Sequence, residues 1–284
     1  MSNKGVFIFC GLAFGYSWVV WETLYWMTDF PIQAVVIMGA FGPSIAGIYM
    51  AFRQDGREGV KRLLRRGFRF KMTFKQYAIL FGFVPLLFFI AYWWTDGSGA
   101  LLTERPWLFF PYFIYMMFLG GALQEEFGWR GYLLDVLQAN GTPIRANLIV
   151  GVNWTVWHVP LFFMNGTGQA SLPFWAYFLA VVSYTTLMTW VYNMTRHNVW
   201  SALVMHTMFN VMLVMLGLIG AGGYPIGFIH LAIVLFAAAL VVTWRTFGQL
   251  RYEPLETIVP VPSSVMDVRG VGKDLNALDL EKKE

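Results

Sequence analysis

The chain repeatedly runs for about twenty residues with almost no charge. A helix needs a run of that length to cross a bilayer. Eight such runs are read at roughly 5–27, 31–52, 76–95, 106–128, 146–164, 172–194, 199–219 and 223–246. Inside hydrocarbon the backbone must satisfy its own polar groups, so repeated spans of this length dictate helices. The expected fold is all-α: a polytopic membrane bundle of about eight transmembrane helices. Composition agrees, with 13% charged residues and 57% hydrophobic, against about 25% charged in an ordinary soluble domain. Pro43, Pro85 and Pro111 fall within or near the starts of spans, where neighbouring helices can satisfy the freed carbonyls. The first run follows Lys4 without a small-residue cleavage site and is read as an uncleaved first span.

Orientation comes from the loops. The segment "RQDGREGVKRLLRRGFRFKMTFK" carries Arg53, Arg57, Lys61, Arg62, Arg65, Arg66, Arg69, Lys71 and Lys75. It is read as cytoplasmic, which puts both termini in the cytoplasm and Arg130, Arg145, Arg196, Arg245 and Arg251 on the same side. Only Arg105 falls outside. Within this segment Val60, Leu63, Leu64 and Phe68 recur at helical spacing, giving an interfacial helix for anionic membrane lipids. The net charge of +4 gathers beside the spans and does not point to nucleic acid. "RGYLLDVLQANGT", Arg130 to Thr142, reads as a second amphipathic stretch stopped by Asn140-Gly141. The membrane domain is expected over 1–249, followed by a flexible cytoplasmic tail over 250–284.

Charge inside apolar segments is costly and tends to mark function. Glu125, Glu126 and Arg130 end the fourth run. On a helix Glu126 and Arg130 lie four apart and can pair, while Glu125 points about 100° away and is left free. His158 lies four residues after Trp154, and Asn210 four after His206, so each couple shares a helix face. His197 in a short loop, His230 without a motif, Glu22 near a span end and the single cysteine, Cys10, carry less information. A carboxylate held away from bulk water is a good proton acceptor. Imidazole and amide donors suit a developing oxyanion. Together they fit water attack on an amide carbonyl. Zinc bound by Glu125, His158 and His206 is the other route to activated water. However, there is no H-E-x-x-H, and asparagine is a poor ligand. A transporter and a non-catalytic immunity or scaffold protein are the competing classes, although no paired repeats of the transporter kind are found.

The order E-E-x-x-x-R, aromatic-x-x-x-H and H-x-x-x-N resembles the CPBP family of CAAX proteases and bacteriocin-processing enzymes, over about 109–216. The resemblance implies an intramembrane endopeptidase acting on a membrane-associated or prenylated peptide or protein. Glu125 and His158 would activate water, His206 and Asn210 would form the oxyanion site, and Glu126, Arg130 and Trp154 would support them. Family members are often labelled metalloproteases, which keeps a divalent metal such as zinc open as a cofactor. The second motif most often starts with phenylalanine in the family. Trp154 departs from that pattern, and its larger indole is expected to narrow the pocket.

Overall fold

A computed structural model describes residues 3–95, 104–219 and 225–254, and among these there is no strand. Each of the eight apolar runs falls on helix. The first is α1 (Asn3–Met27). The second is divided into α2 (Ile32–Gly39) and α3 (Gly42–Gly67). The break falls just ahead of Pro43, which sits in the first turn of α3, where a missing N–H is tolerated. The third is α4 (Phe74–Trp94). It starts on a capping box in which Thr73 and Gln76 satisfy each other's backbone N–H. A π-turn at Ile79–Phe83 precedes Pro85 and absorbs the disturbance that a proline makes in the turn before it.

The fourth run is broken rather than straight. α5 (Phe109–Leu119) and α6 (Ala122–Ala139) meet at Gly120-Gly121 with their axes bent by 46°. α7 (Pro143–Trp157) continues as a 3₁₀ turn over Val159–Phe163. α8 (Phe174–Met194), α9 (Val199–Met215) and α10 (Pro225–Arg245) complete the bundle. Among the described residues six stretches are long and apolar enough to cross a membrane, seven if the bent pair is one span, and α9 is a shorter apolar helix. The chain is a multi-pass membrane protein.

The core is largely apolar, and the outer surface is apolar as well. Phe7, Val19, Leu86, Phe110 and Phe236 are exposed, while Gln124, Glu126, Arg130, Asn147 and Thr189 are buried. α9 is buried on nearly every face. A helix enclosed by other helices has no lipid thickness to match, which accounts for its length. α6 is buried almost as completely through its π-turn, Trp129–Leu134. Arg130 to Thr142 is therefore not a separate amphipathic stretch. It begins as core helix and ends, as expected, at Asn140. Arg130 is fully enclosed and is not a membrane-flanking charge.

What lets α6 lie so deep is the absence of side chains at its crossing with α3. A Cβ added to Gly128 would run into the Pro43 backbone, and one added to Gly47 would lie 2.8 Å from the Phe127 carbonyl oxygen. Without a hydrophobic drive between helices in lipid, such close approach is a principal source of association.

The basic segment has more structure than expected. α3 is kinked at Asp55-Gly56, with Gly56 at φ 58°. Past the kink Leu63 and Gly67 are buried while Phe68 is 64% exposed, so the apolar stripe stops before Phe68. Arg66 leaves the basic face altogether. Its guanidinium donates to the His197 and Gly131 carbonyls, at 2.9 and 3.2 Å. It also bonds to the Tyr192 hydroxyl and pairs with Asp135 at 2.8 Å. His197, expected in an uninformative loop, is buried with Nδ1 2.8 Å from Asp135. These contacts pin the basic segment to the ends of α6 and α8. The expected tail lies outside the described residues from 255 onward. At its start Leu250 is buried, and its carbonyl accepts from Asn193 at 3.1 Å.

Gly128→Ala is expected to cost about 1–3 kcal/mol through overpacking, read as a lower melting temperature in detergent. Gly11→Ala, where an added Cβ meets nothing within 4 Å, should leave it unchanged or slightly raised. Equal melting of the two variants would show that the α3–α6 crossing does not need its glycine.

Candidate active site

The break between α5 and α6 leaves backbone groups without helical partners. Side chains take them up. Gln124 accepts from the Gly121 N–H at 3.2 Å and donates to the Phe118 carbonyl at 2.8 Å. Asn210, from α9, donates to the Gly120 carbonyl at 2.6 Å. Gly121 has φ 107°, a conformation that favours glycine. It also has no room for a side chain, because a Cβ there would lie 2.6 Å from Glu125 Oε1 and 3.3 Å from His206 Nε2. Those two polar atoms thus converge beside the break.

The adjacent carboxylates part as helical geometry requires. Glu126 Oε1 pairs with Arg130 Nη1 at 2.8 Å, and both side chains are fully buried. The same oxygen accepts from His206 Nδ1 at 2.7 Å. Because a carboxylate is on Nδ1, that nitrogen carries the proton, and His206 turns Nε2 toward Gly121. Glu125 is buried and makes no ion pair with Arg130. It is not free of partners, however. Trp154 Nε1 donates to Oε2 at 2.6 Å. The Arg130 guanidinium lies 4.2 Å from the centre of the same indole, within cation–π range.

His158 closes the C-terminal end of α7. Its Nδ1 lies 2.8 Å from the Trp154 carbonyl. A carbonyl can only accept, so Nδ1 is the donor and Nε2 holds the lone pair. The ring rests edge-on against Trp157 and Tyr177, with centroids at 4.7 and 5.5 Å.

Glu125, Trp154, His158, His206 and Asn210 line one cavity of about 110 Å³. That is room for several waters, since one needs about 10–15 Å³ by this measure. Glu126 and Arg130 do not line it; they stand behind it. The cavity wall also includes Trp21, Trp157, Gln169 and Tyr177, none of which sequence reasoning had singled out. Aromatic residues are so frequent in the apolar runs that nothing distinguishes these from lipid-facing ones. A wider groove of about 330 Å³ adjoins the cavity, lined by Ile32, Val36, Tyr115 and Val214 among others, and shares Leu119, Asn210 and Leu213 with it.

Among the described residues, no three His, Cys, Asp or Glu side chains gather as a metal ion would require. In both proposed histidine ligands it is Nδ1 that is engaged, His206 by Glu126 and His158 by a carbonyl, which leaves each Nε2 open. Glu125, His158 and His206 nevertheless do not gather as a metal ion would require in this arrangement.

Residues 106–212 match the family model described as "Type II CAAX prenyl endopeptidase Rce1-like". The match runs from the start of α5 into α9 and contains all seven motif residues. A curated relative, "CAAX prenyl protease 2" of Methanococcus maripaludis, is 24% identical over 190 residues, covering 62% of this chain and 70% of the relative. Both matches agree with the family resemblance that the motifs carry. The matched segment carries the break and all seven motif residues, while α1 and α2, which lie beyond it, add Trp21, Val36 and Ile37 to the cavity wall.

The buried pair gives a direct test. Arg130→Met strands Glu126 in the core and is expected to cost about 3–5 kcal/mol. Adding Glu126→Leu should recover much of that loss. Thermal melts of the single and double variants in detergent check it. A single variant no less stable than the surface change Arg57→Met would show that the pair contributes nothing.

Proposed function

We propose that the chain is a CAAX-type intramembrane endopeptidase that hydrolyses a peptide bond with water activated by Glu125 and His158. The observation that carries this reading is the division of labour between the glutamates. Glu126 takes up Arg130 and His206, leaving Glu125 in the cavity without an ion pair among the described residues.

Water between Glu125 Oε1 and His158 Nε2 would be polarised from both sides. Glu125 takes its proton as oxygen attacks the scissile carbonyl, and the carbonyl's π electrons move to its oxygen. His206 Nε2, when it carries a proton, and the second N–H of Asn210 would donate to that oxyanion. Collapse breaks the C–N bond, and the proton on Glu125 passes to the departing amine. A substrate held in the membrane would approach through the wider, largely apolar groove. The name of the relative suggests prenylated C-terminal peptides as the first substrates to try.

Wild type, Glu125→Gln and His158→Ala, purified in detergent, are to be incubated with prenylated and unprenylated C-terminal peptides, and products read by mass spectrometry. Loss of a general base is expected to lower turnover about 10²–10⁴-fold in a protein that still melts cooperatively. Undiminished cleavage by Glu125→Gln would overturn the mechanism. Inhibition by a chelator, reversed by added zinc, would replace it with a metal one.

We also propose that both termini face the cytoplasm, from the basic residues between the second and third spans. A green fluorescent protein fused at the C-terminus should then fluoresce in bacterial cells, while an alkaline phosphatase fusion there should be inactive. The opposite pair of results would invert the topology.

A further inference from the structure

Trp154 meets four residues of the site: Glu125, Arg130, His158 and His206. Its indole N–H donates to Glu125 Oε2 at 2.6 Å, and its ring face carries Arg130 with the guanidinium carbon 4.2 Å from the centroid. Its carbonyl accepts from His158 Nδ1 at 2.8 Å, and its ring meets His206 edge-on at 5.2 Å. Any helical residue at 154 would offer the carbonyl, and any aromatic ring a face for Arg130. Only the N–H to the carboxylate requires tryptophan among the larger rings without a hydroxyl or a titratable nitrogen.

A carboxylate with two equivalent oxygens can rotate, and a base that rotates is misaligned for part of the time. In Glu125 the two oxygens are unequal. Oε2 is held by the indole, while Oε1 lies beside Gly121, on the side where His206 Nε2 also points. The arginine on the ring face is in turn kept from the carboxylate at the ring's edge, so Arg130 stays with Glu126.

We infer that Trp154 is a positioning residue: its indole N–H fixes the Glu125 carboxylate so that Oε1 alone is the proton-accepting oxygen, and its ring holds Arg130 away from that base. This deepens the peptidase reading and rests on it for its kinetic consequence. The hydrogen bond itself can be tested without it.

Two replacements separate the N–H from the bulk. Trp154→Phe keeps an aromatic face. Replacing Trp154 by β-(3-benzothienyl)alanine keeps the whole bicycle, with sulfur in place of N–H. In infrared difference spectra of wild type minus Glu125→Gln, the Glu125 carboxyl band should move in the benzothienyl protein. An unmoved band overturns the inference whether or not any peptide is cleaved. In cleavage assays both replacements should lower kcat about 10- to 100-fold with KM within twofold, the size expected for one charge-assisted hydrogen bond. A benzothienyl protein with wild-type kcat overturns the role of the N–H, even if Trp154→Phe is inactive or fails to fold. If wild type shows no Glu125-dependent cleavage, the peptidase reading falls, and the infrared band still decides the hydrogen bond.

Discussion

A negative charge can sit in the middle of this bundle because a positive one sits beside it. The pair of Glu126 and Arg130, fully enclosed on α6, is the condition on which the site rests. An isolated carboxylate there would face a desolvation cost of several kcal/mol. Glu126 also takes the proton-bearing nitrogen of His206, so one carboxylate oxygen joins two helices and sets the direction of an imidazole. Arg130 reaches on to Thr185 of α8 and to the Trp154 ring on α7. A single ion pair therefore ties together α6, α7, α8 and α9.

The rest of the architecture is a set of devices that bring α6 to the middle. Glycines at the α3–α6 crossing remove the side chains that would hold the backbones apart. Arg66, Asp135, Tyr192 and His197 close the far end of α6 in a buried polar cluster. Such a cluster stabilises only when its members satisfy one another. Here the aspartate accepts from all three partners. The exposed surface is left to Phe, Val and Leu, as a lipid solvent requires.

Much of this was legible from local spacing, and the failures have a common cause. Pairing of Glu126 with Arg130 follows from a separation of four residues on one helix, and the shared faces of Trp154 with His158 and of His206 with Asn210 follow in the same way. All eight apolar runs fall on helix because hydropathy over twenty residues is a strong signal. Contacts between helices carry no such signal. The 80 residues between Glu126 and His206, and the 29 between Glu125 and Trp154, are closed by packing alone. Trp154 was thus read as bulk when its N–H is what contacts the site, and His197 was passed over because its partner, Asp135, lay in a different segment. Hydropathy averages also run straight through Ala40-Phe41 and Gly120-Gly121, where the helices stop.

The second of those breaks has an electrostatic consequence. Aligned peptide dipoles give the start of a helix a partial positive charge, felt within its first turn. Because α6 starts at Ala122, its first turn contains Glu125 and borders the cavity. Enclosed by protein, this end of the dipole is not screened by salt as a surface charge would be. Two glycines thus place a fixed positive potential beside Glu125, and they do so with backbone alone.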